Sequence, residues 1–402
     1  MGVDVFILNT AVADFRSSEF SFTEKLAGPG GLAKCKTADM PAYTQQQYKK
    51  WIEQGCVTAG GPGNTAPLMA AAGLKVAVGV NLGGGDFGGL DTVGRYFYDT
   101  MTKYNVDMSQ IFIHPQLPTG ITFIYDKGGQ ERGGIAYFPN ANNDFDFEYF
   151  KDSVEKINPK VVYYMYSGLS ERGDANGGKD LADFISICGK KDIVTIADSH
   201  TLTDNPRELI VSCAPVEEYK LLEPLLARLD LFFASCDEAR MIENTIGDKG
   251  KYINISEEEY IGHFLEFLSK KFWQTNKNPR VFGVTVKDGA VVIYRDFFGN
   301  ISGPLKVSSG FMTGNVVDLV GAGDSFRAGF VTYVVKNIKD FRAGKINIEK
   351  AVQMGNLFAS VYIKSPLKKR YGNIGPFDRM LEVVRSESKF DNFEDLLKAV
   401  KG

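Results

Sequence analysis

The chain has 402 residues, a formal net charge of −3 and 24% charged residues. This near-neutral balance gives no support to nucleic acid or an anionic membrane as a partner. The five cysteines favour neither a disulfide framework nor a zinc site, and no apolar run approaches the roughly 20 residues that span a bilayer. We therefore expect a globular, cytoplasmic protein.

Apolar runs that alternate with amphipathic segments predict an α/β fold with a mainly parallel sheet. The first run is VDVFILN, residues 3–9, and the alternation resumes from Lys160. Asp14 follows the first run, and ligands of open α/β sheets collect at the carboxyl ends of strands. Asp14 is therefore a candidate for binding a hydroxyl group of a ligand, and an Asx turn that closes the strand is the alternative.

Two segments depart from this alternation. Residues 15–58 contain one predicted helix, near Gln45 to Glu53, and no cluster of chemically active residues. The alternating runs TGITFIYD and GIAYF, joined by KGGQERG, predict a two-stranded ribbon from Thr119 to Phe138. Its exposed edges leave open a homodimer that pairs through the ribbon.

The stretch DLVGAGDSFRAGF, residues 318–330, places small residues and aspartates directly before a helical pattern. The backbone N–H groups of Gly321, Ala322 and Gly323 can approach an anion closely, and the helix dipole adds to the attraction. Asp324 then lies where a carboxylate could take a proton from an incoming hydroxyl. The pattern indicates phosphoryl transfer, and an ordinary N-capped helix after a glycine turn is the alternative.

The sequence GPGNTA, residues 61–66, satisfies the GxGxxA dinucleotide fingerprint, and Asp86 lies about 20 residues further on. A dinucleotide-dependent oxidoreductase is therefore a rival interpretation. It is weakened because only the brief run CVTA precedes the glycines. The same glycines would serve a kinase if a sugar lay against their amides, with Asn64 bonded to its hydroxyls.

Both glycine-rich stretches resemble a known family. DLVGAGDSFRAGF resembles the C-terminal signature of the ribokinase-like (pfkB) carbohydrate kinases, with Leu319 where a small or hydroxyl residue is usual. GGPGNTAPLMAAAGLKVAVGVNLG, from Gly60, resembles the N-terminal signature of the same family. The resemblance implies a single three-layer α/β/α domain over residues 1–402. It also implies a small β-sheet lid from part of 15–58 and about 118–140, with a C-terminal helical extension over about 376–402.

The resemblance implies an ATP- and Mg²⁺-dependent kinase that phosphorylates a hydroxyl, favoured as a hydroxymethyl group, of a sugar or related polyol. A nucleoside kinase of the same fold is the main alternative. Asp324 would be the general base, and the backbone of Gly321 to Asp324 would form the anion hole. The substrate would be bound by Asp14, Gly60, Gly61 and Asn64.

The nucleotide side is also implied by the resemblance. Thr285, Gly289 and Gly323 would border ATP, with Lys287 contacting a phosphate and the loop SPLKKRYGN beside adenine. Glu238 would order water around Mg²⁺, although Ser235 stands where the family's NxxE pattern has asparagine. A helix acid that complements the dipole is the alternative for Glu238. The resemblance adds a site for a monovalent cation such as K⁺ near Asp318 and the Val320 carbonyl.

Overall fold

The computed structural model describes residues 2–85, 89–126, 133–247, 255–274, 278–386 and 389–402. Asp86 and most of the turn KGGQERG lie outside the described residues. The described strands, in chain order, are β1 Val5–Leu8, β2 Val12–Ser17, β3 Leu32–Lys34, β4 Val57–Gly60, β5 Val76–Gly79, β6 Asn81–Gly83, β7 Phe112–His114, β8 Gly120–Tyr125, β9 Ile135–Phe138, β10 Val161–Ser167, β11 Val194–Ser199, β12 Leu231–Ser235, β13 Arg280–Val286, β14 Gly289–Arg295 and β15 Ile301–Ser308.

Helices connect most of these strands. In the same ranges they are α1 Gln45–Gln54, α2 Ala66–Ala71, α3 Thr92–Lys103, α4 Phe147–Ile157, α5 Lys179–Lys190, α6 Pro206–Val211, α7 Leu222–Leu226, α8 Cys236–Ile246, α9 Glu257–Phe272, α10 Ala322–Lys336, α11 Ile338–Arg342, α12 Ile348–Lys364, α13 Phe377–Ser386 and α14 Phe393–Lys401. Short 3₁₀ helices occur at Ser18–Lys25, Thr37–Asp39, Gly61–Asn64, Asn140–Asp144, Asn176–Gly178, Glu217–Leu221 and Tyr371–Asn373.

The large sheet has eight strands in the order β15-β14-β13-β12-β11-β10-β1-β5. Six neighbouring strands of this sheet are parallel, namely β5, β1, β10, β11, β12 and β13. Strands β14 and β15 add an antiparallel edge. Along β1, Val5 and Ile7 enter one apolar core, while Phe6 and Leu8 enter the core on the opposite face. Because successive strand residues point to opposite faces, helices cover both sides of the sheet. The predicted three-layer α/β/α architecture is confirmed.

A second sheet has five strands in the order β3-β9-β8-β2-β4. The predicted ribbon supplies β8 and β9, which pair antiparallel, while β3 lies in the segment 15–58 and β4 begins at its end. Aromatic side chains fill the core of this sheet, among them Phe15, Phe20, Trp51 and Phe123. Helix α1 lies where the sequence predicts it and begins at a capping box between Thr44 and Gln47.

The prediction for Asp14 needs a correction. Asp14 does not lie at the end of β1 but within β2, in the small sheet. Asn9 and Thr10 have φ values of 73° and 52°, in the left-handed region, and turn the chain out of the large sheet. Because of this turn, Asp14 lies in β2 on the small-sheet side of the cavity described below.

Candidate active site

A cavity of about 340 Å³ lies between the carboxyl ends of the parallel strands and the small sheet. This volume is in the range of small-molecule sites, roughly 300–1,000 Å³. Among the residues nominated from the sequence, the cavity wall contains Asp14, Gly61, Asn64, Glu238, Thr285, Gly321, Ala322, Gly323 and Asp324. The two sequence signatures therefore meet at one site.

Helix α10 starts at this cavity with an uncapped N-terminus. Gly321, its N-cap, has φ 86°, a conformation that favours glycine, and no side chain caps the helix. A Cβ at Gly321 would lie 2.9 Å from the Tyr362 ring and 3.1 Å from Asn64 Cγ. The loop is thus packed tightly on one side and open to the cavity on the other. The Ala322 N–H donates to the Leu319 carbonyl at 3.1 Å, which leaves the N–H groups of Gly323 and Asp324 for an anion.

Three side chains hold the Asp324 carboxylate. The Asn64 amide donates to Oδ2 at 2.9 Å, and the Tyr166 hydroxyl donates to the same atom at 2.5 Å. The Arg327 guanidinium donates to Oδ1 at 2.6 Å. Asp324 is 5% exposed, so its orientation is fixed by these contacts rather than by solvent.

Arg327 joins two buried carboxylates. Its Nε lies 2.8 Å from Asp198 Oδ2, while its Nη2 binds Asp324. Burial raises the pKa of Asp198 to about 6, although Arg327 opposes that shift. Asp198 also accepts hydrogen bonds from the Tyr163 hydroxyl and the Tyr166 backbone N–H. Asp198, near the carboxyl end of β11, therefore orients the residues that hold Asp324.

Asp14 presents a second carboxylate to the cavity. It accepts a short hydrogen bond from the Thr122 hydroxyl on the neighbouring strand β8. Burial raises the pKa of Asp14, an effect that Arg16 and Thr122 partly offset, and the charges of Asp324 and Asp318 add to the increase. A buried carboxylate with remaining acceptor capacity is suited to a substrate hydroxyl.

Gly60 and Gly61, at the start of GGPGNTA, have structural roles. A Cβ at Gly60 would lie 2.5 Å from Asp14 Oδ2, and a Cβ at Gly61 would lie 2.0 Å from the Thr10 carbonyl oxygen. The preceding strand, β4, pairs antiparallel with β2 in the small sheet. A dinucleotide fingerprint instead follows a strand of the parallel sheet. The oxidoreductase interpretation therefore lacks the structural context that it needs.

Of the three residues nominated in the β13–β14 hairpin, only one lines the cavity. Thr285 lines the cavity and donates to the Ala234 carbonyl at 3.3 Å. Lys287 is exposed at the turn, and neither Lys287 nor Gly289 lines the cavity. Gly289 is required by the sheet, because a Cβ there would lie 2.2 Å from the Val307 carbonyl oxygen.

Glu238 lies in the first turn of α8 and forms a capping box with Ser235. Its Oε2 accepts the Ser235 N–H at 2.8 Å, and burial raises its pKa to about 7. The described residues contain no group of three or more His, Cys, Asp or Glu side chains that could hold a metal. Glu238 and Asp237 nevertheless supply hard oxygen donors at the cavity wall, which fit a magnesium ion that keeps most of its water.

Asp318 is paired with two arginines. Its Oδ2 lies 3.2 Å from Arg16 Nη2 and 3.1 Å from Arg370 Nη2, while its Oδ1 accepts the Val320 N–H at 3.0 Å. Arg370 belongs to the loop SPLKKRYGN, but it is fully buried. Arg370 therefore binds the loop before α10, and the carboxylate nominated for K⁺ already has cationic partners.

The small sheet and the loop before β3 contact the segment that follows β11, beside this cavity. The backbone N–H groups of Gly28 and Leu32 donate to the carbonyls of Asp204 and Thr203, each at 2.8 Å. Leu32, Ile135 and Tyr137 of the small sheet thus complete the cavity wall. None of these contacts was expected from the sequence.

Sequence reasoning also missed Tyr166 and the arginines. Arg327 follows Asp324 by one helical turn, so its spacing could have identified it as a partner of the carboxylate. Tyr166 follows the run VVYYM at the end of a parallel strand, where the position alone was a signal. Arg16 and Arg370 carry no comparable signal, because folding alone brings them to Asp318.

None of the described helices is long and apolar enough to cross a membrane.

The sequence model described as pfkB family carbohydrate kinase matches residues 38–216 and 287–368 of the chain. These ranges contain both glycine-rich stretches and most of the cavity wall. No curated protein matches the sequence significantly.

Solved structures with the same fold include three kinases. Anopheles gambiae adenosine kinase, in complex with a di(adenosine) tetraphosphate, is 15% identical with a TM-score of 0.62, over 92% of this chain and 97% of its own. Xylella fastidiosa fructokinase with bound ATP is 15% identical with a TM-score of 0.63, over 96% and 99%. A Pyrococcus horikoshii sugar kinase in complex with ATP is 16% identical with a TM-score of 0.59, over 96% and 100%. At these identities the likeness shows the shared fold.

Proposed function

Since the chain belongs to the pfkB family of carbohydrate kinases, and is therefore a phosphotransferase, we propose that it transfers the terminal phosphoryl group of ATP to a sugar or related polyol. The favoured acceptor is a hydroxymethyl group. The observation that carries this proposal is the Asp324 carboxylate, held at the open N-terminus of α10 and facing the cavity. The structures of similar kinases with bound ATP support ATP as the donor.

Asp324 acts as the general base in this proposal. Its Oδ2 already accepts a hydroxyl hydrogen bond, from Tyr166 at 2.5 Å, which supports a similar contact with an acceptor hydroxyl. Asn64 and Arg327 retain the carboxylate when the acceptor hydroxyl takes the place of the tyrosine hydroxyl. The base therefore keeps its orientation, and the Arg327 guanidinium balances its charge.

The start of α10 stabilises the phosphoryl group. The N–H groups of Gly323 and Asp324 point along the helix axis towards the cavity end of α10, where the dipole favours negative charge. Magnesium, which Glu238 and Asp237 would hold through water, would supply charge neutralisation of the ATP phosphates. Thr285 would contact the nucleotide, since it is the nominated hairpin residue that lines the cavity, while Lys287 and Gly289 do not line it.

The cavity favours a small polyhydroxyl acceptor. Asp14 and Thr122 form a polar pair on the small sheet, and Thr10 and Asn64 also line the cavity. Hydroxyl groups of a sugar would satisfy these donors and acceptors. Leu32, Ile135 and Tyr137 form an apolar wall that favours a nucleoside base instead, which makes a nucleoside kinase the second candidate.

The small sheet acts as a lid in this proposal. Its docking on residues 203–204 encloses the cavity, and enclosure limits the access of water to the phosphoryl group. The edge strands of this sheet are β3 and β4, and pairing of two protomers through them stays a prediction.

A panel of hexoses, pentoses, ketoses and nucleosides, assayed for ADP release with Mg-ATP, tests the acceptor class. The product should be a phosphate ester of a hydroxymethyl group, identified by phosphorus NMR. Selective turnover of nucleosides would move the assignment to the second candidate. Release of ADP without any phosphorylated acceptor would contradict the proposed transfer.

The variant Asp324→Asn tests the base. Asn is isosteric and keeps an acceptor for Arg327, so ATP binding measured by calorimetry should persist while turnover falls by roughly 10²- to 10⁴-fold. Asp288→Asn, at the exposed turn of the β13–β14 hairpin, is the matched control and should turn over normally. Normal turnover in a folded Asp324→Asn protein would refute Asp324 as the base.

A further inference from the structure

The Asp318 carboxylate precedes the loop that opens α10, and its surroundings are cationic. Arg16 and Arg370 both contact Oδ2, at 3.2 and 3.1 Å, and the Val320 N–H binds Oδ1. The backbone N–H groups of Val317 and Asp318 donate to the Ile363 carbonyl at the end of α12. Contacts of the Asp318 side chain and of the backbone therefore both fix the loop.

Both guanidinium groups are held independently of Asp318. Arg370 is fully buried and stacks on the Tyr362 ring, with its Cζ 4.3 Å from the ring centroid. Arg16 donates through Nη1 to the Asp14 carbonyl at 3.1 Å and to the Thr58 hydroxyl at 2.8 Å. These contacts keep the two side chains in place, so they are part of the site rather than mobile surface charges.

The charge balance does not fit a bound monovalent cation. The Asp318 carboxylate faces both guanidinium groups, and the Asp14 carboxylate interacts with the Arg16 charge, so these four charges sum to zero without a further cation. Burial would raise the pKa of Asp318, but Arg16 and Arg370 outweigh burial and hold it below its usual value. The carboxylate is therefore already neutralised by the protein.

We propose that Arg16 and Arg370 replace a monovalent cation at Asp318, so that this chain needs no K⁺ to order the loop before α10. Arg16 has a second consequence because it lies on β2, two residues from Asp14. Its ion pair connects the strand that faces the acceptor with the loop that cradles the phosphoryl group. Arg16 is thus a positioning residue that acts through Asp318.

Thermal unfolding of the full chain without substrates is the first test, and it does not rest on the proposed function. Melting temperatures are compared in KCl and choline chloride at about 0.1 M, where general ionic screening is matched. We expect equal melting temperatures in the two salts. A higher melting temperature in KCl alone would show a bound K⁺ and overturn the proposal.

The variant Arg16→Met removes one guanidinium and exposes Asp318 to solvent ions. We expect this variant to gain a K⁺-specific rise in melting temperature. We also expect its ATP affinity, measured by calorimetry, to be at least about fivefold higher in KCl than in choline chloride. Arg16→Lys, which keeps the charge, should remain indifferent to K⁺, as should the exposed-arginine control Arg95→Met.

A folded Arg16→Met protein with no response to K⁺ in either measurement would overturn the replacement role of Arg16. The ATP measurement rests on the proposed function. Absence of ATP binding by the unaltered chain in both salts would count against the kinase, while the melting temperatures would still decide the proposal on the arginines.

Discussion

The Tyr166 hydroxyl donates to Asp324 Oδ2 at 2.5 Å, and in the proposed mechanism it occupies the position that the acceptor hydroxyl would take. Tyr166 has φ 59°, an uncommon conformation for a residue with a large side chain. Its backbone N–H is anchored to Asp198 Oδ1 at 2.6 Å. The tyrosine is therefore held in competition with the acceptor.

The variant Tyr166→Phe should lower the KM of the acceptor. The acceptor hydroxyl would no longer displace a hydrogen bond, whose net value of about 0.5–1.5 kcal/mol corresponds to roughly two- to tenfold in KM. Steady-state kinetics with ATP saturating provides the measurement. Tyr164→Phe is the control, because its ring lies in the core on the other face of the sheet. An increased KM in Tyr166→Phe would mean that the hydroxyl binds the acceptor directly.

Gly61→Ala should destabilise the fold rather than alter one substrate site. Gly61 has φ 56°, and a Cβ there would lie 2.0 Å from the Thr10 carbonyl oxygen, so the backbone must move. Chemical unfolding should show a loss of at least about 2 kcal/mol, in keeping with strained positions. Gly189→Ala, in helix α5 with nothing within 4 Å of the added Cβ, is the control and should be neutral or stabilising. Unchanged stability in Gly61→Ala would contradict the packing observed here.

Gly31→Val should undock the small sheet. A Cβ at Gly31 would lie 2.1 Å from the Asp204 carbonyl oxygen, the atom that accepts the Gly28 N–H. We expect a higher acceptor KM and more ADP formed per phosphorylated acceptor, because an open site admits water. Gly28→Ala is the matched control, since its added Cβ would make only ordinary contacts at 3.7 Å. An unchanged ratio of ADP to product would show that docking does not exclude water.

Asp230 should make stability depend on pH. It is 4% exposed, and burial raises its pKa to about 6, although hydrogen bonds from Thr195 and the Arg280 charge oppose the shift. The unfolded carboxyl titrates near 3.9, so between these values the native state binds a proton that the unfolded state does not. The contribution of Asp230 to the unfolding free energy therefore falls as pH rises through this window.

Urea unfolding of the unaltered chain and of Asp230→Asn measures this effect. The unfolding free energy of the unaltered chain, minus that of the variant, should decrease from about pH 4.5 to about pH 7.5, by roughly 3 kcal/mol at most. A difference that stays constant with pH would contradict the raised pKa.

The sequence predicts elements well where the pattern is local. The helix predicted near Gln45 to Glu53 is present as α1, and the ribbon predicted from Thr119 to Phe138 forms β8 and β9. Asp14 was misplaced because two left-handed residues, Asn9 and Thr10, end β1 without glycine or proline to mark the turn.

The site is less predictable because its contacts join distant segments. The signature identifies Asp324 and the start of α10, but the pairing of Asp318 with Arg16 and Arg370 depends on three-dimensional arrangement. Gly60, Gly61 and Gly289 were assigned to ligands, whereas the structure shows close backbone or side-chain contacts that need glycine. A glycine-rich motif thus indicates close packing as readily as ligand binding.

The hydrogen bond from Asn64 to Asp324 joins residues 260 positions apart, and that from Tyr362 to Asn64 joins residues 298 positions apart. Closing such long loops costs entropy that is recovered only when both ends pack, so these contacts form late in folding. On the ribosome, the segment up to β13 emerges before α10 and α12. It would therefore fold before the helices that complete the site are available. The nascent chain would therefore acquire its carboxylate site in one of the last steps of assembly.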